Sequence, residues 1–534
     1  MKLMLNLIKK YDKFLDRHAG LLLALLLVVL LRIPNLAEPY WYGDEGIYLT
    51  IGQSLNKGAV LYEDIVDHKT PLIYYLARVH TQLNFRILLI GWMLISTGFF
   101  YAIALQLFSK RLPATIATLI FVLLTSLPAL EGNIPNGELF VIGFVLVGGW
   151  LVLQSRLKEV LTKNNVAPAL SRSDVLYLFA AGIFFSLGIL TKVPALFDFI
   201  GFGGLALMHL ADKLSFEPKQ FKTFLNGFWQ RVADYSLLLA GVIVPIVLSV
   251  VYFVFKGAGS AYLNFGLLYN FHYAGNWDLP FESELLQTAF TLPGKFVIMA
   301  LLLSLLLLLR KYISKTVQFI GIWFLLALFA SLLSNRPYPH YVLQVVPPLS
   351  LLIVAGVVSA LEALKKRQHS LLAGTLGATM LLLGVLTAAV SLIGVGRYPT
   401  KDYYQRWLSL SQGKITPAEY RHEFNYLMTE NYQVAALLKN AGAQRVFIWG
   451  TNPMLYALSD TWPATRFTVA FHIEDLEVYD ETLAEIRQVE PSHIVTMNKE
   501  SIPFPDFFQY LNAQYHAIDK TEHMTVWKRN TPSP

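Results

Sequence analysis

The 534-residue chain has no cysteine, which excludes disulfides, thiolate nucleophiles and thiolate-bound metals. Charge is scarce as well: Asp, Glu, Lys and Arg together make up 15% of the residues, against about 25% in an ordinary soluble domain. No internal repeat is visible, which weakens a transporter built from duplicated halves. The C-terminal part has no glycine-rich phosphate loop; the segment 450–453 reads only as a strand-to-helix turn. What fills the chain instead is apolar: 55% hydrophobic residues and a mean hydropathy of +0.48 put it outside the soluble class.

The apolar residues come in runs that reach the roughly 20 residues needed to cross about 30 Å of hydrocarbon. We place about eleven spans, at 20–36, 86–108, 113–130, 138–154, 174–190, 194–211, 234–256, 293–310, 316–333, 341–361 and 371–394. The net charge of +7 does not point to nucleic acid, because the cations collect in alternate connections between these runs. Lys9, Lys10, Lys13 and Arg17 precede the first run, Lys110 and Arg111 follow the second, and basic clusters recur at 156–172, 213–231, 310–315 and 365–367. These are expected on the cytoplasmic side of a plasma membrane, with the N-terminus inside and the first run retained as a signal anchor. The stretches 37–85, 131–138, 191–193, 257–292 and 335–340 then lie outside, as does everything after 395.

The tail has a different texture. Short buried strands are expected at 445–449, 466–470 and 493–497, with a helix over 475–489, which makes a small α/β domain with a mainly parallel sheet. The fold class is therefore a polytopic α-helical membrane protein, 1–394, followed by an extracytoplasmic α/β domain, 395–534.

Polar residues capable of chemistry gather in the outer connections. Asp44 and Glu45 open a stretch in which Ile47, Ile51 and Leu55 repeat every four residues and Gly58 can stop a short interfacial helix. Asp44 is either the cap of that helix or a functional carboxylate. His68 and Lys69 precede Thr70 and Pro71, a cap and first position for a second helix whose free N–H groups would suit a phosphate beside the lysine; alternatively, Lys69 reaches solvent or lipid headgroups. Lys192 stands in a turn too short to leave it in bulk water, so it needs an anionic partner. Arg336 and His340 face the same side, as do Glu131, Asn133, Asn136 and Glu138, which can cap a span or supply a second carboxylate. Tyr262, Phe265, Tyr269, Phe271, Tyr273 and Trp277 form an aromatic belt or a stacking surface for a sugar or isoprenoid. His68, His272 and His340 have no spacing diagnostic of a metal, and none is expected.

In order along the chain, GDEGIY at 43–48, DHKTPLIYYL at 67–76, Asn84 with Arg86, NGE at 136–138, LTKVPAL at 190–196 and PHYVLQVVPPL at 339–349 resemble the GT-C glycosyltransferases. The resemblance is to the bacterial branch similar to protein O-mannosyltransferases and the lipid A aminoarabinose transferase, over about 360 residues of the membrane part. It implies an inverting transfer of a sugar from a polyprenyl-phosphate donor to a hydroxyl of a protein, lipid or glycan acceptor at the outer membrane face, with no cofactor. Asp44 would then be the catalytic base and Glu45 a supporting carboxylate. Lys69 and Lys192, with Arg336 and His340, would be the partners of the donor phosphate. Asn136, Glu138 and His68 would form an acceptor or second acidic site, although the EGNIPNGE turn departs from the family's second acidic motif. A multi-span lipid or polysaccharide transporter is the alternative class, distinguished by polar groups at mid-membrane and not at span ends.

Overall fold

The computed structural model describes residues 18–162, 170–213 and 218–530, apart from 276, 278 and 280. Each of the expected spans is a helix. Eight are long and apolar enough to cross a membrane alone: His18–Ala37, Gln82–Phe108, Gly137–Gln154, Arg172–Thr191, Ala195–Asp212, Leu225–Phe255, Pro339–Lys365 and His369–Ile393. Leu292–Leu308 qualifies together with Glu284–Phe290, to which it is joined by an 80° bend; Arg111–Ser126 and Lys315–Ser331 are shorter apolar helices. Two of the helices approach closely where both carry glycine. A Cβ on Gly182 would lie 2.0 Å from the Leu238 carbonyl oxygen, and one on Gly241 would lie 2.1 Å from that of Phe179, so backbone meets backbone there.

The ionic contacts divide the bundle into two ends. Lys110 pairs with Glu362 at 2.9 Å, Lys315 with Asp212 at 3.2 Å and Arg156 with Asp234 at 2.6 Å, all between segments expected inside. Among the described residues, connections expected outside meet at the opposite end: His340 with Glu131, Thr70 with Ile189 and Asn270 with His68.

Two short helices shape that end: α1 (Gly43–Asn56) and α2 (Leu72–Leu76). Helix α1 stops at Lys57, and Gly58 follows with φ +101°, a backbone conformation that favours glycine. It is not the amphipathic surface helix expected from its periodicity, since every residue from Glu45 to Leu55 is buried. Its second face is covered by the tail: Thr50 Oγ1 donates to the Pro453 carbonyl at 3.1 Å, Gln53 Nε2 donates to that of Ala457 at 3.1 Å, and Gly46 leaves room for the Met454 backbone.

The tail holds a five-stranded sheet of order β2-β1-β3-β5-β4, with β1 Arg445–Trp449, β2 Trp462–Pro463, β3 His493–Met497, β4 Tyr515–Lys520 and β5 Met524–Arg529. The β1–β2 and β1–β3 pairs are parallel and the β3–β5 and β4–β5 pairs antiparallel, so the sheet is mixed rather than mainly parallel. The segment 466–470 is not a strand. Instead Phe467 bridges Val66 of the first outer loop, tying tail to loop, because its apolar residues are buried against that loop. The helix expected at 475–489 begins at Tyr479, since Glu477 takes φ +53° and breaks it from Ala470–Asp475.

Candidate functional site

Tyr42 holds the cap position of α1, with no side-chain capping bond, and Asp44 lies in the first turn. Its Oδ2 accepts from the Tyr48 hydroxyl one turn on, at 3.2 Å, and lies 3.5 Å from Lys69 Nζ. Asp44 is 29% exposed while Lys69 is 9% exposed, so the pair stands at the boundary between an accessible cleft and the interior. Burial would raise the Asp44 carboxyl, but the charges of Lys69, His340 and Lys192 overcome it and hold the group below its usual value.

Lys69 stands between two carboxylates, with Asp67 Oδ2 at 3.6 Å on its other side. Burial alone would lower the Lys69 pKa; the two anions more than compensate and keep it an ammonium. The helix start foreseen beside it is different in kind. Helix α2 has only five residues and begins after Pro71, and the Thr70 hydroxyl donates to the Ile189 carbonyl at 3.0 Å instead of capping. The positive corner is therefore made by the lysine itself, not by a helix dipole.

Asp67 is fully buried, with one hydroxyl donor on Oδ2 and two imidazoles beside Oδ1 that are hydrogen-bonded to each other, His68 Nδ1 to His472 Nε2 at 3.2 Å. The Tyr74 hydroxyl donates to Oδ2, and Oδ1 lies 3.0 Å from His68 Nδ1 and 3.3 Å from His472 Nε2. Both imidazoles are depressed by burial, against the pull of Asp67, His472 to about 3. His68 stacks on Tyr273 with centroids 4.5 Å apart. The ligand atoms of Asp67, His68 and His472 lie within 4.8 Å of one another, which makes them the residues able to hold a divalent cation among those described. This set differs from the histidines singled out in the sequence. The His272 side chain is outside the described residues, and His340 is engaged elsewhere. Asp67 could have been noted from its place before His68 and Lys69; His472 could not, since it comes from the tail, 404 positions away.

Lys192 does find the anionic partner its turn required. Its ammonium pairs with Glu138 and sits over the Tyr341 ring, 4.2 Å from the centroid. Asn136 caps the helix of Glu138 by position only; its Nδ2 donates to the Glu131 carbonyl at 3.3 Å.

Three expectations change. Glu45 turns away from Asp44 into a buried cluster, taking Arg86 Nε at 2.9 Å, Arg86 Nη2 at 2.7 Å and Gln82 Nε2 at 2.9 Å, because successive side chains on a helix point about 100° apart. His340 is held by Glu131 at 2.6 Å and the Tyr42 hydroxyl at 3.0 Å, and its charge also bears on Asp44. Arg336 lies across the rings of Tyr273 and Trp277, at 4.1 and 4.9 Å, a cation–π arrangement at the outer rim.

Lys69, Lys192, Glu138, His68 and Tyr341 border one end of a cavity of about 1180 Å³. Its remaining wall is largely apolar, with Leu196, Phe197, Leu292, Phe296 and Phe329 running down between the helices to the 80° bend. This volume exceeds the range usual for small-molecule pockets, about 300–1,000 Å³.

No family model and no curated protein matches the sequence. Among solved structures, the chain is similar to ArnT from Cupriavidus metallidurans, solved bound to undecaprenyl phosphate, at 13% identity over 96% of this chain and 98% of that one, with a TM-score of 0.54. This is the GT-C fold. The archaeal oligosaccharyltransferase AglB from Archaeoglobus fulgidus, in complex with an inhibitory peptide and a dolichol-phosphate, aligns over 92% of this chain and 70% of its own at 13% identity and a TM-score of 0.41. Within the GT-C fold of this chain the small α/β region contributes directly to the candidate site, through His472.

Proposed function

We propose that the protein is an inverting glycosyltransferase that moves a sugar from a polyprenyl-phosphate donor to an acceptor hydroxyl at the outer face of the membrane. The observation that carries this reading is the joining of a long apolar cavity to Lys69 and Lys192 at one end, with Asp44 3.5 Å beyond Lys69. An isoprenoid chain fits the apolar length and a phosphate fits the two ammonium groups. The structure in which ArnT is bound to undecaprenyl phosphate has the same fold, which supports the choice of donor.

In the proposed step Asp44 takes the proton of the acceptor hydroxyl as its oxygen attacks the anomeric carbon from the side opposite the phosphate. The bond from that carbon to the phosphate oxygen breaks, and Lys69 and Lys192 hold the departing polyprenyl phosphate. Lys69 has two tasks in sequence. Before the donor enters it restrains the basicity of Asp44; when the phosphate engages it, Asp44 loses its largest counter-charge and becomes a stronger base. The step uses no nucleotide and no cofactor, because the lipid carries the activated sugar. Glu138 and His68 border the space left for the sugar. On this reading the tail lies outside the cytoplasm, and added protease should cut it in intact cells or spheroplasts.

The test is binding and turnover with purified protein in detergent. Undecaprenyl phosphate should stabilise the protein against heat and undecaprenol should not; equal stabilisation by both would remove the phosphate site from the proposal.

A further inference from the structure

An ionisable side chain inside the bundle has no part in the step above. Asp198 lies in the first turn of the helix Ala195–Lys213 and is 2% exposed. Its Oδ1 accepts from the Trp323 indole N–H at 2.7 Å and its Oδ2 from Gln344 Nε2 at 2.6 Å. Among the described residues no cation pairs with it. A carboxyl group withheld from water and satisfied only by neutral donors is costly in a membrane helix, and such residues mark function more often than packing.

The geometry shows where its influence goes. Gln344 Nε2 donates a second bond, at 3.0 Å, to the Pro194 carbonyl, two residues after Lys192. Tyr341, three residues before Gln344 in the 3₁₀ turn Pro339–Val345, places its ring under the Lys192 ammonium. A closed circuit results: Asp198 fixes Gln344, Gln344 fixes both the Lys192 turn and the turn of Tyr341, and these two hold Lys192 against Glu138. Trp323 cannot easily shift to release it, because its ring is fully buried and fills the space beside Gly201, where a Cβ would stand 2.9 Å away.

We propose that Asp198 is a positioning residue for the donor: through Gln344 it sets the place of the Lys192 ammonium, and so the affinity of the site for the lipid phosphate. This rests on the donor reading above, and the experiment separates the two. Full-length parent, Asp198→Asn, Lys192→Ala and the double variant are compared for binding of undecaprenyl phosphate and of undecaprenol. Asparagine keeps one acceptor and turns an NH₂ against the other donor, so one of the two bonds is lost. Asp198→Asn should weaken undecaprenyl phosphate binding about tenfold and leave undecaprenol unchanged, and it should add nothing in the Lys192→Ala background, because residues acting through one another are not additive. Trp323→Phe, which removes one donor without touching the carboxyl, should move binding the same way by a smaller factor if Asp198→Asn fails to fold. Parent-like binding by Asp198→Asn beside weakened binding by Lys192→Ala overturns the inference and leaves the donor reading standing. Losses that add in the double variant, or that extend equally to undecaprenol, also overturn it. Parent-like phosphate binding by Lys192→Ala removes both.

Discussion

Buried charge occurs at both ends of the helix bundle, built in different ways. At the end expected inside, Asp234 lies between two arginines: Arg156 Nε and Nη2 donate to Oδ1 at 3.0 and 2.6 Å, and Arg231 Nη1 stands 2.7 Å from Oδ2. At the end expected outside, Lys69 shares two carboxylates at 3.5 and 3.6 Å, in close contact with neither, and opens onto a large cavity. A guanidinium fork locks a carboxylate into a fixed geometry, whereas an ammonium on a flexible stem can exchange one anion for another. The first arrangement is a rivet. The second is an ion pair that a phosphate can enter. The same contrast recurs within eight residues of chain: Glu38 and Glu45 are paired with Arg86, while Asp44 remains available beside Lys69.

Four substitutions test that contrast. The largest effect is expected from Asp44→Asn, which should lower transfer about a hundredfold to ten-thousandfold while leaving thermal stability near the parent's, since the carboxylate is partly exposed and rivets nothing. Turnover within tenfold of the parent, measured with a lipid-linked sugar, would remove the base assignment. Asp234→Asn should do the reverse. It leaves two buried arginines without their counter-charge, costing about 3–5 kcal/mol of stability in a denaturation series, with unchanged turnover per folded molecule. If it lowers turnover and not stability, the inner end is no rivet.

Lys69→Ala comes next, with an expected loss of about 1.5–3 kcal/mol in donor binding, roughly tenfold to a hundredfold. It has a second signature in pH. Lys69 holds the Asp44 carboxyl below 3.8, so the parent should keep its base ionised as pH falls to that value. Without Lys69 the Asp44 pKa rises, and the acid limb of kcat/KM must move to higher pH; a limb that stays in place would mean that Asp44 is not the base or that Lys69 does not act on it. The smallest effect belongs to the exposed pair of Lys57 with Asp460, 2.9 Å apart and 32% and 64% exposed, which joins α1 to the tail. Asp460→Asn, which removes the charge but keeps a side chain tolerant of the φ of +56° at this helix end, should cost at most about 1 kcal/mol in thermal stability and nothing in turnover.

Much of this molecule is written locally. The helices follow from runs of apolar residues because a bilayer penalises every unpaired backbone group, so length and hydropathy suffice to place them. β1 and β3 follow from short apolar β-rich runs. Asp44, Lys69, Glu138 and Lys192 were visible as polar residues in or beside the connections expected outside, where charge needs a reason. What the sequence could not supply is which of them face one another. Nothing local tells Asp44 from Glu45, which differ by one helical step that sends one toward Lys69 and the other to Arg86. Nor is His472 recognisable as a neighbour of Asp67, or Asp198 as one of Gln344, until chain segments hundreds of residues apart are packed together. Hydropathy and periodicity are sums over neighbours in sequence, whereas ion pairs and hydrogen bonds depend on distances of a few ångströms that only tertiary packing fixes.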